Sequence, residues 1–177
     1  MKINKQYNKF QRDAFIDTLF KYAKKDKKIL LLSNDQGAIA LDNFREKIPN
    51  QYINAGISEQ NIIGVAAGLT KDIGHLNLMP NMQIFSPSDS LSVEKIVKSL
   101  IKTSSPAYVR LDREMCTPIY NKSNFDLTNG FSELVKGNRY CIISTGKMSS
   151  VALNISKEMK RQKLGVIDIY KIKPFSE

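Results

Sequence analysis

The sequence predicts an α/β chain, a doubly wound parallel sheet followed by a partial second α/β domain. Three stretches carry that expectation. Lys28 to Ser33 holds the uninterrupted run Ile29-Leu30-Leu31-Leu32, with lysines before it and Asn34-Asp35-Gln36-Gly37 after it. That is the profile of a central parallel strand buried on both faces and ending in a loop. Tyr52-Ile53-Asn54 makes a second short strand. It bends at Gly56 into a helix that Ser58 caps and that Ile62, Ile63, Val65, Ala66, Ala67 and Leu69 make apolar nearly all round. Tyr140 to Gly146 reads as strand and tight turn, Ser149 to Lys163 as helix, and Gly165 to Tyr170 as strand, one βαβ unit. Strand followed by helix, repeated, implies parallel pairing with helical crossovers.

The other elements follow from periodicity and caps. Phe10 to Lys25 is helical, with Ala14, Phe15, Thr18, Leu19 and Tyr22 on one face and Arg12 in the first turn. Met82 to Phe85 is a strand, and Asp89 caps a helix from Ser90 to Lys102 whose apolar face carries Leu91, Val93, Ile96, Val97 and Leu100. Ala107 to Leu111 is the next strand, with Arg110 and Arg113 at its end. Glu114 to Lys136 lacks periodicity and contains Pro118, Asn121, Asn129 and Gly130, so it reads as a connection with a short hairpin-like passage. The domain reading is therefore 1–120, a linker at 121–137, and an incomplete second domain at 138–177.

Composition narrows the function classes. A chain of 177 residues with 25% charged and 42% hydrophobic residues buries a real core. No apolar run is long enough to span a bilayer, and the first ten residues lack the apolar stretch of a signal peptide, so the expectation is a cytoplasmic protein with no membrane partner. Cys116, in a loop, and Cys141, in a strand expected to be buried, have no metal-ligand spacing. The formal charge of +10 comes from lysines scattered over helix faces without interleaved aromatics, which argues against a nucleic-acid partner.

Two acids and two arginines stand where ligands gather. Asp35 follows a strand's carboxyl end, where open α/β sheets bind ligands, although aspartate also forms turns. Glu59 opens the apolar helix. It is either a partly shielded acid of raised pKa that shares a proton with a ligand nitrogen, or a carboxylate that favours the positive end of the helix dipole. Arg110 and Arg113, at a strand end, suit an anion, because a guanidinium offers a planar fork of donors to phosphate, although Arg110 also suits a structural ion pair; Arg12 by itself reads as a surface arginine. His75 is the only histidine and lies in no catalytic pattern.

These pieces, in order, resemble the pyrimidine-binding domain of the transketolase family of thiamine-diphosphate enzymes. The matching runs are Arg12-Asp13-Ala14-Phe15, Leu32-Ser33-Asn34-Asp35, Ile53 to Asn61, Met79-Pro80-Asn81-Met82, Ser86-Pro87-Ser88-Asp89, Pro106 to Arg113, Ile143 to Met148 and Ile172-Lys173-Pro174-Phe175. The resemblance covers most of the chain and points to the C-terminal subunit of a split transketolase, with the thiamine-diphosphate-binding fold. It implies that Glu59 hydrogen-bonds the cofactor's pyrimidine and is the catalytic residue, that Asp35, Gly56 and Ile57 help bind the cofactor, and that Arg113 and Arg12 contact the phosphate of a sugar substrate.

The family's Gly-Asp-Gly motif, which holds the magnesium at the diphosphate end, is absent from the chain, so Mg2+ is expected on a separate N-terminal subunit and no metal ligand here. Self-association is expected as well. The chain departs from the family near Lys71-Asp72, where two strands, a glycine- and histidine-rich loop and the aromatic that stacks on the pyrimidine are missing. Either a longer chain carries them or they have been lost; the apolar edges that a loss would expose favour the first. The resemblance leaves open a deoxyxylulose-phosphate synthase-like or keto-acid dehydrogenase beta-like subunit, and a non-catalytic scaffold.

Overall fold

The computed structural model of the chain describes residues 10–33, 39–54, 80–121 and 125–175. The first helix, α1 (Gln11–Ala23), serves two cores at once. Ile16, Phe20 and Ala23 pack with Leu41 and Phe44, where the Phe20 and Phe44 rings meet edge to face at 5.4 Å. Ala14 packs instead against Val93 and Val97. The single apolar face read from the sequence is therefore two, and Gln11 is buried along with them. The helix ends with help from Gln51, whose Nε2 lies within 2.8–2.9 Å of the carbonyls of Ala23, Asp26 and Ile29 and so caps the Ala23 carbonyl of the last turn and ties it to the loop that follows.

After α1 the strand β1 (Leu31–Ser33) pairs in parallel with β2 (Tyr52–Asn54), placing Ser33 beside Asn54. Between them lie a 3-10 turn, Ile39–Leu41, the short helix α2 (Asp42–Lys47) and a second 3-10 turn, Pro49–Gln51. β1 is only half-buried and Leu30 is 57% exposed, so the both-faces burial read from its apolar run is not found among the described residues.

β3 (Gln83–Phe85) pairs in parallel with β4 (Ala107–Val109). The connecting helix α3 (Ser90–Leu100) begins at a capping box: Asp89 Oδ1 accepts the Ser92 N–H at 2.8 Å, and Ser92 Oγ accepts the Asp89 N–H at 3.0 Å. The expected cap is present, and the helix gives way to a turn after Leu100.

The C-terminal unit contains β5 (Phe131–Val135), β6 (Cys141–Ser144), α4 (Met148–Glu158) and β7 (Gly165–Ile169). β6, α4 and β7 form the expected parallel βαβ unit, and β5 lies antiparallel to β7 in the order β5-β7-β6. Part of the stretch read as a linker is thus a sheet strand. Its pairing partner lies more than thirty residues further on, so local periodicity gives no sign of it. β7 runs through Tyr170 into β8 (Lys171–Lys173), which pairs antiparallel with β3 and so belongs to the sheet of the first unit. β6 is an edge strand, which leaves Cys141 exposed where a buried strand was expected; Cys116 is the buried thiol. The fold is α/β with parallel pairs as predicted, in three small sheets among the described residues.

Where the units meet, Leu91, Tyr120, Phe125 and Tyr170 form an aromatic cluster. Phe125 sits 4.5 Å from the Tyr120 ring and 4.6 Å from that of Tyr170. Behind it, Asp168 is fully buried in β7.

Candidate functional site

Arg12 and Arg113 stand far apart in sequence and share one cleft of about 280 Å3, lined among the described residues by these two side chains and Phe10. Arg12 gets there because α1 starts one residue earlier, and Arg113 because the chain leaves β4 towards the same place. The two starts are tied by an antiparallel bridge between Phe10 and Met115. Arg12 is more than half exposed and pairs with its neighbour Asp13 at 3.0 Å. An exposed pair of this kind contributes little, so it does not withdraw the guanidinium from an incoming anion. Arg113 has no ion pair among the described residues, and neither does Arg110, whose place at the strand end also suits one.

The walls of the cleft are held by groups the sequence does not mark. Gln11 donates from Nε2 to the Pro87 carbonyl at 2.8 Å and accepts the Asp112 N–H on Oε1 at 2.8 Å. Asp112 Oδ2 in turn accepts the Lys147 N–H at 2.6 Å. That contact lies at the turn where Gly146 adopts φ +59°, and a Cβ there would come within 2.7 Å of Asp112 Oδ2. The Gly146 turn thus holds the protein's own Asp112 carboxylate. Lys147 Nζ also meets Glu114, which lowers the Glu114 pKa and raises that of Lys147. Burial pushes the Cys116 thiol up to about 11, with the negative charges of Asp112 and Asp89 adding to it, so it is no nucleophile at neutral pH.

A second polar cluster joins the two units. Ser88 Oγ and Ser149 Oγ donate to Asp168 Oδ1 at 2.6 and 2.5 Å, and Tyr120 OH donates to Oδ2 at 2.6 Å. Asp89 Oδ2 accepts the N–H groups of Ile119 and Tyr120 at 3.0 and 2.9 Å. Each hydroxyl comes from a different element, so the cluster fastens the fold. No sequence pattern signals it, because its members are separated by up to eighty residues.

Asp35, Gly56, Ile57 and Glu59 lie outside the described residues, as do His75 and the junction at Lys71-Asp72. β1 and β2 end side by side at Ser33 and Asn54, and Asp35 and Gly56 each stand two residues further along the sequence. Among the described residues no three His, Cys, Asp or Glu side chains form a metal-holding group, and no helix is long and apolar enough to cross a membrane.

The chain is 25% identical over 225 aligned positions to the 6-deoxy-6-sulfo-D-fructose transketolase subunit SqwH of Clostridium sp. (strain MSTE9), covering 94% of this chain and 70% of that one. It is 24% identical to an apulose-4-phosphate transketolase subunit of Phocaeicola vulgatus, covering 92% of this chain and 71% of that one. Its homologues are transketolase subunits of the split kind. The fold agrees: a split-gene transketolase solved as an inactive beta4 tetramer superposes with a TM-score of 0.80 at 22% identity, over 93% of this chain and 73% of the other. A 1-deoxy-D-xylulose-5-phosphate synthase from Clostridium perfringens is 23% identical, and this chain spans 38% of its length. No family model matches the chain.

Proposed function

We propose that this chain is the C-terminal subunit of a thiamine-diphosphate-dependent transketolase, transferring a two-carbon ketol unit between sugars that carry a terminal anion. The observation that carries the reading is the meeting of Arg12 and Arg113 in one cleft, as expected of a site for a substrate's phosphate. The split-transketolase relatives are the second support, and two of them are named for sugars ending in a sulfonate or a phosphate, both tetrahedral oxyanions.

The cofactor fits what is described to this extent: parallel β1 and β2 bring two strand ends together, and the segments that follow carry Asp35 and the Gly56–Glu59 turn. Thiamine diphosphate, when bound, supplies the nucleophilic carbon on which the two-carbon unit is carried. With the cofactor bound, Glu59 would hold a proton at the pyrimidine nitrogen, and Gly56, Ile57 and Asp35 would help bind that ring. Arg12 and Arg113 hold the far end of the sugar, so that its binding energy orients the reacting end. Magnesium and the diphosphate would be held by an N-terminal subunit, a reading supported by the split-transketolase relatives. The exposed Ile143, Met148 and Ile155 on β6 and α4 support further association.

A non-catalytic scaffold is the second reading, and one observation favours it. The Clostridium match spans 225 aligned positions although this chain has 177 residues, so the relative carries a stretch with no counterpart here. A synthase-like donor has only the weaker likeness to deoxyxylulose-phosphate synthase behind it.

The test is reconstitution with the N-terminal subunit. Glu59→Ala is expected to lower ketol transfer by about a thousandfold while the subunits still assemble, since a group that tunes a cofactor contributes several kcal/mol to the barrier. Assembly with no activity in the wild type would support the scaffold.

A further inference from the structure

One side chain ties together the two segments that carry the cleft's arginines. Gln11 is fully buried at the start of α1. Its amide reaches two backbones, Nε2 donating to the Pro87 carbonyl and Oε1 accepting the Asp112 N–H, both at 2.8 Å. Arg12 directly follows Gln11, and Arg113 directly follows Asp112. Asp112 is gripped from the other side as well, by the Lys147 N–H. A buried amide satisfied at both ends is rigid, and breaking either bond leaves a backbone group unpaired. A shorter side chain does not span the gap, and an apolar one of the same length makes neither bond.

We infer that Gln11 is a positioning residue for the anion cleft: by locking Asp112 and Pro87 to the first turn of α1, it fixes the spacing of the Arg12 and Arg113 guanidiniums. This rests on the proposal that the cleft takes an oxyanion. Long, exposed arginines lose much conformational freedom when they close on a ligand, and a fixed backbone spacing reduces that cost. The effect belongs to ligand affinity and is separate from what Gln11 contributes to folding.

The probe is inorganic sulfate, whose charge is constant around neutral pH, titrated calorimetrically into the full chain at low ionic strength. The wild type is expected to bind it and Arg113→Ala to lose it. Gln11→Met is expected to bind about tenfold more weakly while circular dichroism shows it folded at the assay temperature. Gln11→Asn keeps the amide, lacks one methylene, and is expected to weaken binding too; it decides the matter if Gln11→Met does not fold. A folded Gln11 variant with a lower thermal midpoint and unaltered sulfate affinity, alongside loss in Arg113→Ala, would overturn the inference and leave the anion cleft standing. Sulfate binding that is absent in the wild type or unaltered in Arg113→Ala would overturn both.

Discussion

Asp168 receives three hydroxyl donors and, among the described residues, no cation. Burial is the largest influence on it and raises its pKa above 3.8; the Ser149, Ser88 and Tyr120 bonds oppose the rise and the nearby charge of Asp89 adds to it. The folded state therefore holds its proton more tightly than the unfolded chain. The stability this confers is complete below the unfolded pKa and is lost as pH rises through the folded value. Asp168→Asn, which cannot titrate, should flatten the fall in urea midpoint as pH rises above about 4. Asp168→Ala leaves three hydroxyls without an acceptor and should cost about 3 kcal/mol by urea unfolding. The two thiols make a simpler contrast. Native protein treated with an alkylating reagent at neutral pH should be modified at Cys141 and spared at Cys116, as mass spectrometry would show.

At the scale of elements, α3 depends on Asp89, which caps the helix and also holds the N–H groups of Ile119 and Tyr120 while fully buried. Asp89→Ala should lower stability by about 3 kcal/mol, well beyond an ordinary cap, because three N–H groups lose their acceptor. Gly146→Ala should cost about 2 kcal/mol, from a left-handed backbone that alanine resists and a Cβ pressed against the Asp112 carboxylate. The caps also show where the sequence is readable. Asp89 stands just before a run of helical apolar periodicity, and that local pattern names it. Gln51 caps α1 from more than twenty residues away, and nothing around it says so. β5 escapes a sequence reading for the same reason, since its partner β7 comes later in the chain. The αβ alternation is readable because each strand and helix declares itself within about ten residues.

For the whole molecule, the crossing of the chain from β7 into β8 makes the C-terminal unit part of the first unit's sheet, and the Asp168 cluster and the aromatic cluster fasten the joint. The cleft of Arg12 and Arg113 is tied to that joint through Asp112 and Lys147. Its arginines are legible in the sequence because their residue type and place match a recognisable family pattern. The Gln11 amide and the Asp112 carboxylate beside them are not, since they bond backbone atoms. The central claim is that this chain supplies part of a cofactor site which another polypeptide completes. The most direct measurement is calorimetric titration of thiamine diphosphate with magnesium into this chain, into the N-terminal subunit, and into their equimolar mixture. Tight, saturable binding in the mixture that neither subunit matches alone is the predicted result; identical binding by the N-terminal subunit with and without this chain would contradict it.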